Sequence, residues 1–155
     1  MVKLSQCLAP GGVFLRQSPA NANQVIGLLA DHLASQGIVK PSYREAVKAR
    51  EAVMPTGLPL DDDFAVAVPH TDPEHVLTSG MAIAVLDRPT PFGSMDEPEK
   101  MLPVRVVFAL ALRSKDEQID MLTAIGGLLQ NGATLKKLAV ACSADEVAQL
   151  LDASN

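Results

Sequence analysis

The chain of 155 residues is 48% hydrophobic and 20% charged, which is the size and balance of one globular domain able to bury its own core, so residues 1–155 are read as a single domain. A formal net charge of −5 argues against nucleic acid as a partner, because phosphate backbones call for clustered Lys and Arg; a small anionic substrate stays open, since one local arginine can reverse the field inside a pocket. Aromatics make up 3% and tryptophan is absent, so the core must rest on Ala, Val, Leu and Ile.

Taken in order, "APGGVFLRQ" (9–17) reads as a turn ahead of a short strand at Val13 to Leu15. From Asn23 to Ser35 the pattern becomes helical: Val25, Ile26, Leu28, Leu29 and Leu33 form a stripe and Gly37 supplies a stop. Pro41 and Ser42 open a second helix, where Ser42 and Glu45 have the spacing of a capping box, and "PTGLP" (55–59) ends it. Three strands are expected next, "FAVAV" (64–68), "MAIAVL" (81–86) and "VRVVFALAL" (104–112). The first two are nearly continuous apolar runs, as central strands covered on both faces should be, and Arg105 marks a partly exposed position in the third. "RPTPFGSMDEPEK" (88–100), with three prolines, reads as a mobile surface loop. The last third is helical, with Ile119, Leu122, Ile125, Gly126 and Leu129 on one face, a short helix around Leu135 and Leu138, and a final helix opened by Ser143 and Glu146. Helices, a block of strands and helices again predict an α/β fold, a three-layer α/β/α sandwich with a mixed β-sheet.

Cys7 and Cys142 are far apart and match no metal-ligand or disulfide spacing. The N-terminus lacks a basic region followed by an apolar block, and no apolar run approaches a membrane span. The expectation is a cytoplasmic protein that does not insert in a membrane and holds no metal or cofactor.

The stretch "DDDFAVAVPHTDPEH" (61–75) carries the chemistry. In open α/β sheets, reactive groups sit in loops beyond the carboxyl ends of strands, and His70 stands two residues after Val68. Pro69 restricts the backbone on both sides and would aim the imidazole. Asp72 followed by Pro73 looks like the start of a short helix, whose free N–H groups would suit a phosphoryl group near His70 and Thr71. A polar loop residue is the competing reading of His70. His75 reads as an exposed residue of that short helix, with lining the same pocket as the lesser option, and His32 as a partly buried or surface residue. A metal bound by His70, Asp72 and His75 would match no ligand motif.

Arg50, at the end of a helix, has no carboxylate four residues earlier. It reads as a solvated arginine or one paired to Glu51 or Glu45 across the helix, or else as a guanidinium folded over a phosphate on His70.

"REAVMPTGLPLDDDFAVAVPHT" resembles the RE…PTG…PH(G/T) segment of enzyme IIA components of the fructose/mannitol superfamily in the bacterial sugar phosphotransferase system. The similarity runs on through "PVRVVFALAL" and "DEQIDMLTAIGGLLQNGATLKKL", and the PTGL and PHT forms look most like the galactitol-type branch. The resemblance implies that His70 accepts a phosphoryl group at Nε2 from the histidine phosphocarrier protein, with Nδ1 bonded to a backbone carbonyl. It hands the group to a cysteine of enzyme IIB, and through it to the membrane sugar permease. Carried over by position, Arg50 is the helix-end arginine, Thr56 the PTG threonine and Thr71 the residue after the histidine. Two departures stand out. Where many relatives carry a second histidine this chain has Gln118, which can hydrogen-bond but not take a charge. The longer stretch from PTG to PH places Asp61 to Asp63 in an extra loop near the site, either a solvated turn or an acidic docking rim. A regulatory enzyme IIA of the nitrogen-related type is the alternative function.

Overall fold

A computed structural model describes residues 3–153, with the side chains of Lys115 and Gln118 outside the described set. One five-stranded sheet runs through it in the order β1-β4-β5-β3-β2. The strands are β1 (Leu8–Gln17), β2 (Gly57–Asp61), β3 (Phe64–Ala67), β4 (Gly80–Gly93) and β5 (Met101–Ala111). β1 with β4 and β3 with β5 are parallel, while β4 with β5 and β2 with β3 are antiparallel. The mixed sheet and the α/β class are therefore as expected. The three apolar strands expected in mid-chain, β3, β4 and β5, occupy the centre, and the short strand expected at Val13 to Leu15 lies within β1.

The period of two along these strands divides the core in two. Ala65 and Ala67, Ala82 and Ala84, and Ala109 and Ala111 face one layer, built from α2 (Ala22–Ser35) and α3 (Tyr43–Val53). Phe64, Val66 and Val68, with Met81, Ile83, Val85, Phe108 and Leu110, face the other layer of α4 (Lys115–Leu129), α5 (Gly132–Ala139) and α6 (Ala144–Asp152). A short α1 (Leu4–Cys7) joins that layer through Leu4. The alanine face leaves room for the long side chains of Leu29, Leu33 and Tyr43, so close packing is reached without aromatic filling.

Several helix ends follow their capping residues. Asn21 Oδ1 accepts from Gln24 N at 2.9 Å and Ser143 Oγ from Glu146 N at 3.1 Å, and Gly37 turns α2 off at φ 73°. Ser42 does not cap α3. Its own backbone is already helical, and its hydroxyl meets His75 Nδ1 at 2.8 Å instead.

Other expectations are also corrected. The "APGG" segment is part of β1 rather than a turn before it, its irregularity absorbed by Gly11 at φ 67° and by a register shift between Leu8 and Val13. The stretch at 88–100 is not a free loop. β4 continues through it to Gly93, pairing Thr90, Pro91 and Phe92 with Val104, Pro103 and Leu102. Pro89 falls where the ladder slips between Val85 and Thr90, and Pro91 lies past Leu86, the last β4 residue paired with β1, where that edge of β4 is free. Among the described residues of α4 the buried positions are Met121, Ile125 and Leu128, whereas Ile119 is 63% exposed and Leu122 also faces out. The apolar stripe of α4 is thus rotated from the one its leucines and isoleucines suggest.

Candidate functional site

His70 lies just beyond the carboxyl end of β3. Two sets of hydrogen bonds hold the backbone that delivers it. On the β5 side, Leu110 N–H donates to Pro69 O at 3.0 Å, and the buried Tyr43 hydroxyl donates to Leu110 O at 2.7 Å. Burial pushes the Tyr43 phenol well above its ordinary range, so it stays a donor. On the β2 side, Val68 N–H donates to Thr56 Oγ1 at 3.1 Å. Thr56 in turn donates its hydroxyl to Glu51 Oε1 at 2.9 Å and its backbone N–H to Glu51 Oε2 at 2.8 Å. Glu51 is buried, and burial raises its pKa while the Thr56 bonds pull it back down.

The chain of bonds ends at the imidazole. His70 Nδ1 is 2.8 Å from Val68 O. A carbonyl can only accept, so Nδ1 carries the proton and the neutral ring presents its lone pair at Nε2. The pKa of His70 is held below its ordinary 6.5, chiefly by burial and also by the charge of Arg50, against the opposing effects of the Val68 bond and of Asp72. A neutral, oriented imidazole with one bare nitrogen is a nucleophile needing no further base.

Arg50, Thr56 and His70 line one cleft of about 340 Å³, together with Val53, Met54, Pro55, Met95 and Pro98. Arg50 pairs with neither Glu45 nor Glu51. Its Nη1 lies 3.5 Å from Asp72 Oδ1. The segment after Asp72 is a single 3₁₀ turn, Pro73–His75, and Asp72 makes no side-chain cap there. The expected helix is therefore too short to bring a dipole to bear on an anion, and Asp72 works through its charge instead. Thr71 is buried and lies outside the lining of the cleft. His75 also lies outside it, its ring tied to Ser42. His32 is half-buried and bonds Pro10 O at 2.7 Å through Nε2. Gln118 sits in the first turns of α4, and its side chain is outside the described residues.

Asp61 to Asp63 do not border this site. β2 and β3 form a hairpin in which Gly57 faces Ala67 and Asp61 faces Phe64. The acidic turn therefore lies at the far end of β3 from His70, a strand length of ~13 Å away, where Asp61 pairs with Lys136 at 2.7 Å. The extra length between PTG and PH forms a strand and its turn rather than a loop beside the histidine.

Three contributors escape sequence reasoning. Glu51 reads as one more surface charge on a helix, and only the turn of the chain after Val53, which brings Thr56 back against it, places it inside. The carbonyl of Val68 carries no side-chain signal. Met95 belongs to a segment expected to be free, yet Met95 N–H donates to Gly57 O at 2.9 Å and Ser94 N–H to Lys100 O at 2.8 Å, fixing it over the cleft. The backbones approach closely enough that a Cβ on Gly57 would lie 2.5 Å from Gly93 O.

Comparison with known proteins places this geometry in context. Residues 6–154 match the family described as phosphoenolpyruvate-dependent sugar phosphotransferase system, EIIA 2. The mannitol-specific EIICBA component of Escherichia coli K12 is 29% identical over 147 residues, which are 93% of this chain and 22% of that protein. The chain thus spans about a fifth of the length of that curated relative. The galactitol-specific EIIA component of the same strain is 27% identical over 108 residues, 70% of this chain and 71% of that one. Among solved structures, enzyme IIA for mannitol from Escherichia coli, determined in complex with phosphorylated enzyme IIB, superposes with a TM-score of 0.74 at 28% identity, covering 93% of this chain and 96% of that one.

Proposed function

Because this chain belongs to the EIIA 2 family of the phosphoenolpyruvate-dependent sugar phosphotransferase system, we propose that it is a phosphohistidine carrier with His70 as the acceptor. The carrying observation is the bond from His70 Nδ1 to Val68 O at 2.8 Å, which leaves Nε2 bare beside Arg50 in the cleft. The donor is the histidine phosphocarrier protein. Its N–P bond breaks as the Nε2 lone pair forms a new one, and the donor ring leaves as neutral imidazole. The Nδ1 proton stays hydrogen-bonded to the Val68 carbonyl, so the phosphorylated ring carries a positive charge that balances part of the phosphoryl dianion. Arg50 supplies the remaining compensation. In the second half-reaction a cysteine thiolate of enzyme IIB attacks phosphorus, and the electron pair of the Nε2–P bond returns to the ring.

Around the cleft, Val53 is 74% exposed, Met54 58% and Met95 45%. Apolar side chains gathered about one nucleophile suit protein partners rather than a free sugar, whose hydroxyls would find few donors there. The membrane permease is reached only through enzyme IIB, and among the described residues no helix is long and apolar enough to cross a membrane. The names of the relatives make a sugar alcohol the cargo class to test first.

Intact-protein mass after incubation with phosphoenolpyruvate, enzyme I and the phosphocarrier protein tests the reading. One acid-labile phosphoryl addition, absent in His70→Gln, is expected. An addition that persists in His70→Gln would remove His70 from the role. An addition that no enzyme IIB discharges would turn the reading toward a regulatory enzyme IIA.

A further inference from the structure

We propose that Asp72 is an exchangeable counterion for Arg50, holding the guanidinium beside the unphosphorylated His70 ring and yielding it to the phosphoryl group, whose transfer potential its freed carboxylate then raises. The inference rests on the carrier reading and assigns a positioning role to a residue that does not touch the reacting atoms.

The pairing has the strength an exchange requires. Arg50 Nη1 meets one oxygen of Asp72 at 3.5 Å, with the carboxylate side chain 67% exposed. A one-point contact in so exposed a setting is weak. A phosphoryl dianion on Nε2 offers several oxygens within the same cleft that Arg50 already lines, and a guanidinium binds such a group through two parallel N–H donors. The better ligand displaces the poorer one, and no proton has to move.

Asp72 is anchored through its backbone. Its backbone is extended at φ −64° and ψ 150°, as the residue before Pro73 must be. The turn after it is fastened twice, by His75 N–H to Asp72 O at 3.2 Å and by the contact of the His75 ring with Ser42 Oγ at 2.8 Å. When Arg50 leaves, a negative charge therefore stays two residues from the phosphohistidine. Both Arg50 and Asp72 already act on the ring electrostatically, in opposite senses. The remaining charge repels the dianion and keeps it ready to depart. The pair thus separates two tasks: Arg50 helps the group arrive, and Asp72 keeps it from staying too firmly.

Asp72→Asn, with Asp72→Glu as the conservative control, tests this in the full chain. Phosphoryl exchange with phosphorylated phosphocarrier protein gives the equilibrium constant. Chemical phosphorylation with phosphoramidate, followed by timed loss of the group, gives lability without any protein partner. In Asp72→Asn the equilibrium is expected to move about threefold to tenfold toward the phosphorylated chain, with loss slowed in proportion, and the difference to shrink at high salt. Asp72→Glu should restore wild-type behaviour within about twofold. A merely structural role would lower acceptance and leave no salt dependence. The exchange is overturned if Asp72→Asn, melting like the wild type, leaves the equilibrium unchanged or moves it toward the unphosphorylated chain. Failure of wild-type His70 to take the group from either donor would instead overturn the carrier reading, and this inference with it.

Discussion

Thr56 and Val68 are joined by a hydrogen bond of 3.1 Å from the Val68 N–H to the Thr56 hydroxyl oxygen, and that same hydroxyl donates to Glu51 at 2.9 Å. The carbonyl that orients His70 belongs to the residue this hydroxyl holds. In Thr56→Val, the Val68 N–H and one Glu51 oxygen both lose their partner while still buried, at a cost of about 1–3 kcal/mol. Chemical denaturation should show that loss, and Thr56→Ser should recover most of it. The ¹⁵N shifts of His70 should report mixed tautomers in Thr56→Val alone. A uniform Nδ1–H tautomer in that variant would detach Thr56 from the site.

The acidity of the site follows from its charges. His70 is held below 6.5 by burial and by Arg50, so phosphoryl acceptance should persist through pH 6.5 and fail only at lower pH, as the ring protonates and Nε2 loses its lone pair. Arg50→Gln removes a charge that favours the neutral ring, and its acid limb should move upward. A profile shifted to lower pH in that variant would contradict this. The sign carries over to stability. A histidine with a depressed folded pKa contributes stability that is fully present above its unfolded value near 6.5, and that is lost as pH falls through the folded value.

The exposed apolar rim should matter for encounter rather than for folding. Met54 is 58% exposed, so Met54→Glu should leave the melting temperature nearly unchanged. The second-order rate of phosphoryl transfer from the phosphocarrier protein should drop about tenfold, because a charge is then desolvated in the complex. Chemical phosphorylation by phosphoramidate, which needs no docked partner, should fall by far less than the protein-to-protein rate. Equal protein-to-protein rates would mean that the partner does not cover Met54.

Gly57 has no room for a side chain. A Cβ there would lie 2.5 Å from the backbone oxygen of Gly93, which cannot swing away as a flexible side chain could. Gly57→Ala should therefore cost about 1–3 kcal/mol, read as a lower denaturation midpoint. Crosspeaks of Met95, bonded to Gly57 O at 2.9 Å, should shift with it. A variant as stable as the parent would show that the two backbones separate easily.

The strands that carry the site are legible because strands buried on both faces leave continuous apolar runs, and "FAVAV" and "MAIAVL" could be little else. His70 stands out for its place behind such a run. The inward face of α4 is harder to read, because Ile119 and Leu122 look like core yet lie outside, while Met121 takes the inward position. The partner of Arg50 is hidden for a different reason. Asp72 is well separated from it along the chain, and only the parallel placing of β3 beside β5 swings that loop over the end of α3. Glu51 gives no sign of its role, since a buried carboxylate held by a threonine five residues on has no periodic signature. β2 is masked by its proline and aspartate, which suit an edge strand as well as a loop.

The position of β3 in the strand order has a consequence for synthesis. The inner neighbour of β3 is β5, whose residues Val104, Val106 and Val107 pair with Ala65, Val66 and Ala67. Those partners leave the ribosome long after His70, and Leu110, which fastens Pro69, leaves later still. Until then the histidine follows a strand whose inner edge is unpaired and whose backbone anchors are incomplete. Because non-local strand pairing is a late and cooperative event, an incomplete chain cannot offer an oriented imidazole to a donor. On the carrier reading proposed above, competence to take up a phosphoryl group would be a property of the finished sheet, acquired together with the fold rather than ahead of it.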